Sequence, residues 1–214
     1  MSSYATDFVR YELDIGALEL VPEGRKLKSG RMSPYFFNSG LNCTGESISR
    51  LAQAYDEVIF RAHTPEVIFG PSYKGSAIAV AVTQHHRGNV GFAYNRKEAK
   101  THGEGGVIIG APIRARKVFL VDDVMTTGES LGDAHDIVKS AGGIPIGCAI
   151  AFDRQERGTN TNLSAVQEFE KKFQIPVFAV ATLADLLCVL GPKACGDTSS
   201  IYWKIMEYKM QYGV

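Results

Sequence analysis

The stretch that most constrains the fold is residues 117–130, which read K-V-F-L-V-D-D-V-M-T-T-G-E-S. Residues 118–121 form an unbroken apolar run, the pattern of a strand buried on both faces. Asp122 and Asp123 follow, and then a turn of small residues opens a helical pattern. Such a turn directs backbone N–H groups at one point, where the helix N-terminus adds partial positive charge, so a phosphate fits there. The two acids suit a cation, sugar hydroxyls or positive charge developing on a sugar carbon, although a loop with solvated acids is the alternative.

The rest of the chain repeats this strand–loop–helix plan. The alternation predicts an α/β fold, with a central, mostly parallel sheet and helices on both faces. At 214 residues the chain is expected to form a single domain, residues 1–214. The predicted strands are 35–38, 67–69, 90–95, 118–121, 145–152 and 177–182, and the predicted helices are 47–62, 76–85, 131–141, 165–173, 183–190 and 201–212, with an early helix that Gly16 interrupts.

The composition argues against several functional classes. Lys+Arg and Asp+Glu are both 23, and the resulting zero net charge argues against a general nucleic-acid or membrane-surface binder. The cysteines form no C-x-x-C pair, which indicates free thiols in a reducing compartment. Because the first ten residues lack the apolar core of a signal peptide and no long apolar run follows, we expect a cytoplasmic protein.

Residues 117–130 resemble the 5-phosphoribosyl-1-diphosphate (PRPP) motif of the type I phosphoribosyltransferases, in which a strand runs into two acids and a Thr-Gly loop. The resemblance implies the fold of that family and PRPP as the donor substrate. It implies that Asp122 and Asp123 are catalytic and hold the ribose. Glu129 departs from the family's frequent Thr, and its charge would oppose phosphate if the side chain turned inward. The remaining donor-binding residues implied here are Val124, Met125, Thr126, Thr127, Gly128, Glu129 and Ser130.

Residues 28–40 read K-S-G-R-M-S-P-Y-F-F-N-S-G, with turn signals before a short aromatic strand. Phe36 and Phe37 must face opposite sides of a strand, so one can be core while the other stacks on a flat heterocycle. The segment resembles the N-terminus of the orotate phosphoribosyltransferase family. That resemblance implies that Lys28 touches the donor, that Phe36 and Phe37 lie against the pyrimidine, and that residues 1–45 form part of a hood over the site. The family often continues G-L-F-N-T-G, whereas this chain has Asn42-Cys43, a departure that affects local packing.

The loop G-P-S-Y-K-G, residues 70–75, follows a predicted strand. Lys74 therefore lies at the carboxyl end of a strand, where open α/β sheets place their ligands, and a lysine there is a point charge for phosphate. A surface loop lysine is the alternative. The loop resembles the diphosphate-contacting loop of the family, which implies that Tyr73 and Lys74 bind the donor.

Residues 96–106, R-K-E-A-K-T-H-G-E-G-G, combine bunched cations with glycines. A basic, flexible loop can close over an anionic substrate and exclude water, and a solvated hairpin tip is the alternative. The sequence closely resembles the family's catalytic loop. This implies a homodimer in which loop 97–106 reaches the other subunit's site. It also implies that Lys100 and His102 are catalytic and that the diphosphate ligands include Arg96, Lys97, Lys100 and His102.

The segment D-R-Q-E-R-G follows the strand predicted over 145–152. An arginine there can fork onto a planar carboxylate, which orotate has and purine bases lack, although a surface arginine is the alternative. The family resemblance implies that Arg154 and Thr126 contact orotate. It also implies the reaction of the orotate phosphoribosyltransferases in pyrimidine biosynthesis, in which orotate and PRPP give orotidine 5′-monophosphate and diphosphate. Mg²⁺ is implied as cofactor, bound mainly through PRPP, with Asp122 or Asp123 contacting it through water.

Two other functions remain open at this stage. The PRPP motif alone permits a phosphoribosyltransferase for a purine base, against which Arg154 and the Phe pair argue. A PRPP-binding regulator without catalysis is the second alternative, but the chain has neither net positive charge nor an added DNA-binding segment. An assay with each base separates these functions.

Overall fold

The computed structural model describes residues 3–27, 29–100, 106–158, 161–191 and 198–214. Helices and strands alternate over most of this part of the chain, as the sequence predicts. The helices are α1 Ser3–Asp14, α2 Gly45–Phe60, α3 Lys74–His85, α4 Glu129–Ser140, α5 Ala165–Phe173, α6 Leu183–Leu190 and α7 Thr198–Tyr212. The strands are β1 Leu18–Lys26, β2 Met32–Phe37, β3 Val67–Gly70, β4 Gly91–Lys100, β5 Gly106–Gly110, β6 Lys117–Val124, β7 Ile144–Asp153 and β8 Val177–Thr182, and a 3₁₀ turn covers Ser39–Leu41.

The main sheet has six strands in the order β5-β4-β3-β6-β7-β8. The pairs β4–β3, β3–β6, β6–β7 and β7–β8 are parallel, and only β5 runs antiparallel to its neighbour among these strands. The predicted class, an α/β fold with a mostly parallel central sheet, is therefore confirmed.

Both faces of the sheet are covered, because the central strands bury side chains on alternate sides. Ile68 and Phe119 belong to a core shared with helices α1, α2, α3, α6 and α7. Phe69 and Leu120 belong to the opposite core, which packs against α4 and α5. This double burial explains why β3 and β6 read as continuous apolar runs in the sequence.

A separate two-stranded antiparallel sheet is formed by β1 and β2. The sequence predicted β2 but not β1. Strand β1 contains Pro22 and Gly24, and its register with β2 shifts between Leu20 and Arg25, so it lacks the alternation that marks an ordinary strand. Helix α1 ends at Asp14, before Gly16, as predicted.

The predicted start of the basic loop at residue 96 is wrong. Strand β4 continues through Lys100, and β5, which was not predicted, begins at Gly106. Antiparallel pairing of Asn95 with Ile108 and of Lys100 with Gly106 extends the strand beyond the apolar residues that signalled it. Residues 101–105, including His102, lie outside the described part of the chain.

The segment after β7 pairs with the end of α7 and the residues that follow it. The Arg157 N–H donates to the Tyr212 carbonyl at 2.9 Å, and the Val214 N–H donates to the Gln155 carbonyl at 3.1 Å. Residues 155–157 are therefore held against residues 212–214.

None of the helices in the described ranges is both long enough and apolar enough to cross a bilayer.

Candidate active site

Three loops meet at one edge of the sheet. Strands β3, β6 and β7 are parallel neighbours, so their carboxyl ends lie side by side. Residues 70–75, 122–130 and 153–158 follow these three ends. This is the edge at which open α/β sheets bind ligands.

Asp122 and Asp123 end the buried part of β6, and each residue is only 7% exposed. The Asp122 carboxylate accepts the Asp123 N–H at 3.0 Å through Oδ1 and the Ser130 hydroxyl at 2.9 Å through Oδ2. Asp123 Oδ1 accepts the Val124 N–H at 2.9 Å. Because each carboxylate is fixed by hydrogen bonds, the acid pair has a defined orientation at the sheet edge.

The acid pair is also electrostatically strained. Burial and the neighbouring Asp123 carboxylate raise the pKa of Asp122 to about 6, while Ser130 and Lys74 act in the opposite direction. Two neighbouring carboxylates disfavour each other's ionised form. Asp122 therefore titrates closer to neutral pH than an ordinary aspartate, as groups at functional sites often do.

Lys74 contacts the acid pair directly, since its Nζ lies 2.6 Å from Asp123 Oδ2. Lys74 begins α3 after a tight loop in which the Ser72–Tyr73 peptide bond is cis. A Cβ on Gly70 would lie 1.8 Å from the Gly75 carbonyl oxygen, so this loop can close only with glycine there. Tyr73 is 72% exposed beside Lys74.

The middle of β4 lies against the same loop. Asn95 Oδ1 accepts the Ser72 N–H at 3.2 Å, and the Asn95 carbonyl accepts the Ser72 hydroxyl. Arg96 follows, and its Nη1 is buried without a hydrogen-bond partner among the described residues. Lys97 and Lys100 lie on β4, but their side chains are outside the described part of the structure, as is Lys28.

In the turn after the acid pair, some side chains pack into the core and others are exposed. Met125 is buried in the core beneath α4 and Val124 packs against the opposite core, so only their backbones can face a ligand. Gly128 has φ +74° and is the N-cap of α4, a conformation that favours glycine. The exposed side chains are those of Thr126, Thr127, Glu129 and Ser130, around the N-terminus of α4.

Arg154 follows β7 and lies in a cluster of two arginines and one carboxylate. Its Nε donates to Glu156 Oε1 at 2.8 Å, its Nη2 donates to Ser33 Oγ at 2.9 Å, and its guanidinium lies 4.4 Å from the Tyr35 ring centroid. Arg31 Nη1 donates to Glu156 Oε2 at 3.3 Å. With one carboxylate between two guanidinium groups, this cluster has one excess positive charge.

The pKa of Arg154 combines opposing influences. Burial lowers it, but Tyr35 and Glu156 raise it, and the net direction is upward. Arg154 therefore keeps its charge although only 13% of its side chain is exposed.

Phe36 and Phe37 lie on opposite sides of β2, as the alternation of a strand predicts. Phe37 is 7% exposed and stacks on Phe152 with ring centroids 5.7 Å apart. Phe36 is partly buried, with the Arg25 guanidinium 3.9 Å from its ring centroid. Phe37 is thus a core residue, which leaves Phe36 as the ring that can meet a ligand.

Sequence reasoning missed four polar residues at this edge. Ser39 Oγ donates to Asp123 Oδ2 at 2.6 Å, and the others fix Arg154. Each is a common residue type in a turn or loop, and each has a hydrogen-bond partner more than 80 positions away, which no local pattern shows. The four are Arg31, Ser33, Ser39 and Glu156.

The chain matches known proteins over the elements that build this edge. The model of the phosphoribosyl transferase domain matches residues 45–184. An orotate phosphoribosyltransferase of Acinetobacter baylyi is 46% identical over 88% of this chain and 87% of its own length. One of Bordetella avium is 44% identical over the full length of both chains. The crystal structure of the Francisella tularensis orotate phosphoribosyltransferase superposes with a TM-score of 0.84 and 31% identity, covering 97% of this chain and 100% of the other. This chain belongs to the orotate phosphoribosyltransferase family of the type I phosphoribosyltransferases.

Proposed function

We propose that this chain transfers the 5-phosphoribosyl group of PRPP to orotate, giving orotidine 5′-monophosphate and diphosphate. The observation that carries this proposal is the placement of the acid pair between Lys74 on one side and the Arg154 cluster on the other, at one sheet edge. The positive charges of Lys74 and of the Arg154 cluster match the phosphates of the donor and the carboxylate of the acceptor, with the acid pair between them.

The acid pair acts on the ribose. As the bond from the anomeric carbon to diphosphate breaks, positive charge develops on the sugar, and Asp122 and Asp123 hold the ribose hydroxyls and offset this charge. The 5-phosphate is bound by the backbone N–H groups and hydroxyls of residues 126–130 at the N-terminus of α4. Glu129 is exposed, which supports an outward orientation that keeps its charge away from the phosphate.

The leaving diphosphate is stabilised by cations from the loop after β3 and from β4. Lys74 is fixed on Asp123, and Arg96 has a buried Nη1 without a partner among the described residues, so both are suited to receive phosphate oxygens. The same role is proposed for residues whose side chains are not described or that fall outside the described ranges: Lys28, Lys97, Lys100 and His102.

Orotate is bound through its carboxylate and its ring. The excess positive charge of the Arg154 cluster attracts the carboxylate, and Phe36 offers a ring face for stacking. Thr126, exposed at the start of the turn, contacts the base from the side of the acid pair. The β1–β2 sheet serves as the hood of this site, because Ser33 of β2 and Arg31, just before β2, contact the 154–158 segment.

The residues present fit a Mg²⁺ ion that is bound mainly by the donor. No group of three His, Cys, Asp or Glu side chains that could hold a metal occurs in the described ranges. All four carboxylate oxygens of Asp122 and Asp123 already accept a hydrogen bond, which suits contact through water better than a protein cage. When bound, Mg²⁺ supplies neutralisation of the diphosphate charge, and Asp122 or Asp123 would hold its water.

We further propose a cytoplasmic homodimer in which loop 97–106 of each subunit covers the site of the other. This proposal is supported by the resemblance of R-K-E-A-K-T-H-G-E-G-G to the family's catalytic loop and by the position of β4 next to β3, which brings the loop's first residues to the same sheet edge.

The test is an absorbance assay of orotate with purified protein, PRPP and Mg²⁺, with hypoxanthine and adenine as controls. We expect orotate to be consumed only when PRPP is present. Consumption of a purine base instead would contradict the assignment of Arg154 and Phe36, and binding of PRPP without turnover of any base would support the regulator.

A further inference from the structure

Behind the acid pair lies a buried polar pair that the proposed mechanism does not use. Glu12 of α1 has no exposed surface, and Asn42, just after the 3₁₀ turn, is 9% exposed. Asn42 Nδ2 donates to Glu12 Oε2 at 2.9 Å. The second oxygen of each group, Glu12 Oε1 and Asn42 Oδ1, is buried and has no hydrogen-bond partner in the described part of the chain.

These two orphan atoms belong to the same hydrogen-bonded pair. With an ionised carboxylate both are acceptors, and neither can satisfy the other. Burying a carboxylate oxygen and an amide oxygen without donors is costly. A single proton on Glu12 Oε1 removes both deficits, because a carboxylic acid and an amide can form a ring of two hydrogen bonds.

The surroundings of Glu12 favour its neutral form. Burial raises the pKa of Glu12 to about 7, and the hydrogen bond from Asn42 only partly opposes this. Within the described part of the chain, Glu12 acts electrostatically on two phenols, Tyr11 of its own helix and Tyr55 of α2. Neither supplies a positive charge to balance a carboxylate.

The pair is connected to the catalytic edge through two hydrogen bonds. The Asn42 N–H donates to the Ser39 carbonyl at 3.0 Å, which closes the 3₁₀ turn, and Ser39 Oγ donates to Asp123 Oδ2 at 2.6 Å. Tyr55, which interacts with Glu12, donates its hydroxyl to the Asp122 carbonyl at 2.7 Å. Glu12 and Asn42 therefore anchor the turn that presents Ser39 to the acid pair.

We propose that Glu12 is protonated in the folded protein and donates to Asn42 Oδ1, and that this acid–amide pair is a positioning device for Ser39 on Asp123. The catalytic part of this inference rests on the proposed function. It also accounts for the departure at Asn42, where the family often has Phe, because the polar side chain finds its partner in Glu12.

The protonation state can be measured without any activity. We expect the side-chain carboxyl of one glutamate, followed by ¹³C NMR of the whole protein, to titrate near pH 7, and this signal to be absent in Glu12→Gln. Titration of every glutamate near the ordinary value of 4.5 would overturn the proposal. The folded state binds this proton more tightly than the unfolded state. The free energy of unfolding should therefore fall as the pH rises from 4.5 to 7, and it should fall less steeply in Glu12→Gln.

The positioning role is tested by a double-mutant cycle on kcat/KM for PRPP. Glu12→Gln should retain activity, since its amide can reproduce both hydrogen bonds, whereas Glu12→Ala should lose about tenfold, the size of one hydrogen-bond coupling. In a Ser39→Ala background, Glu12→Ala should cause no further loss. Equal losses in both backgrounds, or a Glu12→Gln variant as impaired as Glu12→Ala, would overturn the role. If the unsubstituted chain turns over no base, the proposed function fails, while the titration still decides the state of Glu12.

Discussion

Lys74 Nζ and Asp123 Oδ2 lie 2.6 Å apart although the two residues are 49 positions apart and follow different strands. The lysine side chain is 53% exposed, whereas that of Asp123 is 10% exposed. The contact orients an ammonium group at the edge of the acid pair and offsets part of the pair's charge. The lysine thus steadies the Asp123 carboxylate while about half of its side chain stays accessible.

Replacing Lys74 should damage donor binding far more than folding. Because the side chain is half exposed, we expect Lys74→Ala to change the free energy of unfolding by less than about 1 kcal/mol. Its KM for PRPP should rise at least about tenfold, as expected for a lost contact to a charged group. Steady-state kinetics and urea denaturation measure the two effects. Lys117→Ala, at the opposite end of β6, is the matched control, and equal KM values in the two variants would contradict the assignment.

The fall in kcat on the acid side of the pH profile, the acid limb, should be set by protonation of Asp122. The raised pKa, about 6, means that the carboxyl loses its charge as the pH falls through 6, so kcat should fall there. Ser130 holds the ionised form, and Ser130→Ala should therefore move this limb to higher pH. Ser140→Ala, at the other end of α4, should leave the limb in place. An unchanged limb in Ser130→Ala would show that another group sets it.

Arg154 should determine the affinity for orotate but not for PRPP. Arg154→Lys keeps the charge but loses the planar fork that suits a carboxylate, so KM for orotate should rise about tenfold or more. KM for PRPP should change little. Arg157→Lys is the control, because Arg157 donates to the Gln211 carbonyl instead of joining the cluster. A parallel rise in both KM values would point to a general distortion of the loop.

Substitutions of Phe36 and Phe37 should differ in effect, the first acting on orotate binding and the second on stability. Phe37→Ala removes a buried ring stacked on Phe152 and should cost about 3–5 kcal/mol of unfolding free energy. Phe36→Ala should cost much less and should instead raise KM for orotate. Denaturation curves and orotate kinetics on both variants decide this, and the reverse pattern would exclude Phe36 as the ring that meets the base.

We expect Lys100 of one subunit to act on the chemical step in the active site of the other subunit. We expect Lys100→Ala to lower kcat far more than it weakens orotate binding. Because a shared site combines one subunit's loop with the other's acid pair, mixing Lys100→Ala with Asp123→Asn should restore activity that neither variant has alone. Equal loss in kcat and orotate affinity would contradict the leaving-group role, and a mixture that stays inactive after subunit exchange would contradict loop sharing.

The sequence predicted the elements that bury continuous apolar runs or present a clear helical period. Strand β8 and helices α5 and α6 have the predicted bounds, because Ser164 and Thr182 give their helices capping boxes. Strand β1 was missed because its pairing tolerates a proline, a glycine and a register shift. Its stability comes from β2, which no property of residues 18–26 reveals.

The site was predictable only where a single segment carries the pattern. Asp122 and Asp123, Lys74 and Arg154 each stand at the end of a strand that the sequence shows, so parallel pairing brings them to one edge. Ser39 could not be found in this way, because its partner Asp123 comes from another element. Glu156 lies two positions from Arg154, but its contacts with Arg31 and Tyr35 come from more than 100 positions away. The same holds for Glu12, whose burial and whose partner Asn42 become visible only once α1 has packed against the turn.

The pairing of residues 155–157 with residues 212–214 has a consequence for local opening of the chain. The Arg157 and Val214 amides are held by carbonyls of the opposite segment, so neither can exchange its hydrogen unless both segments separate. The end of α7 and the loop after Arg154 should therefore exchange as one cooperative unit, and any loosening of that helix end would disturb the Arg154 side of the candidate site.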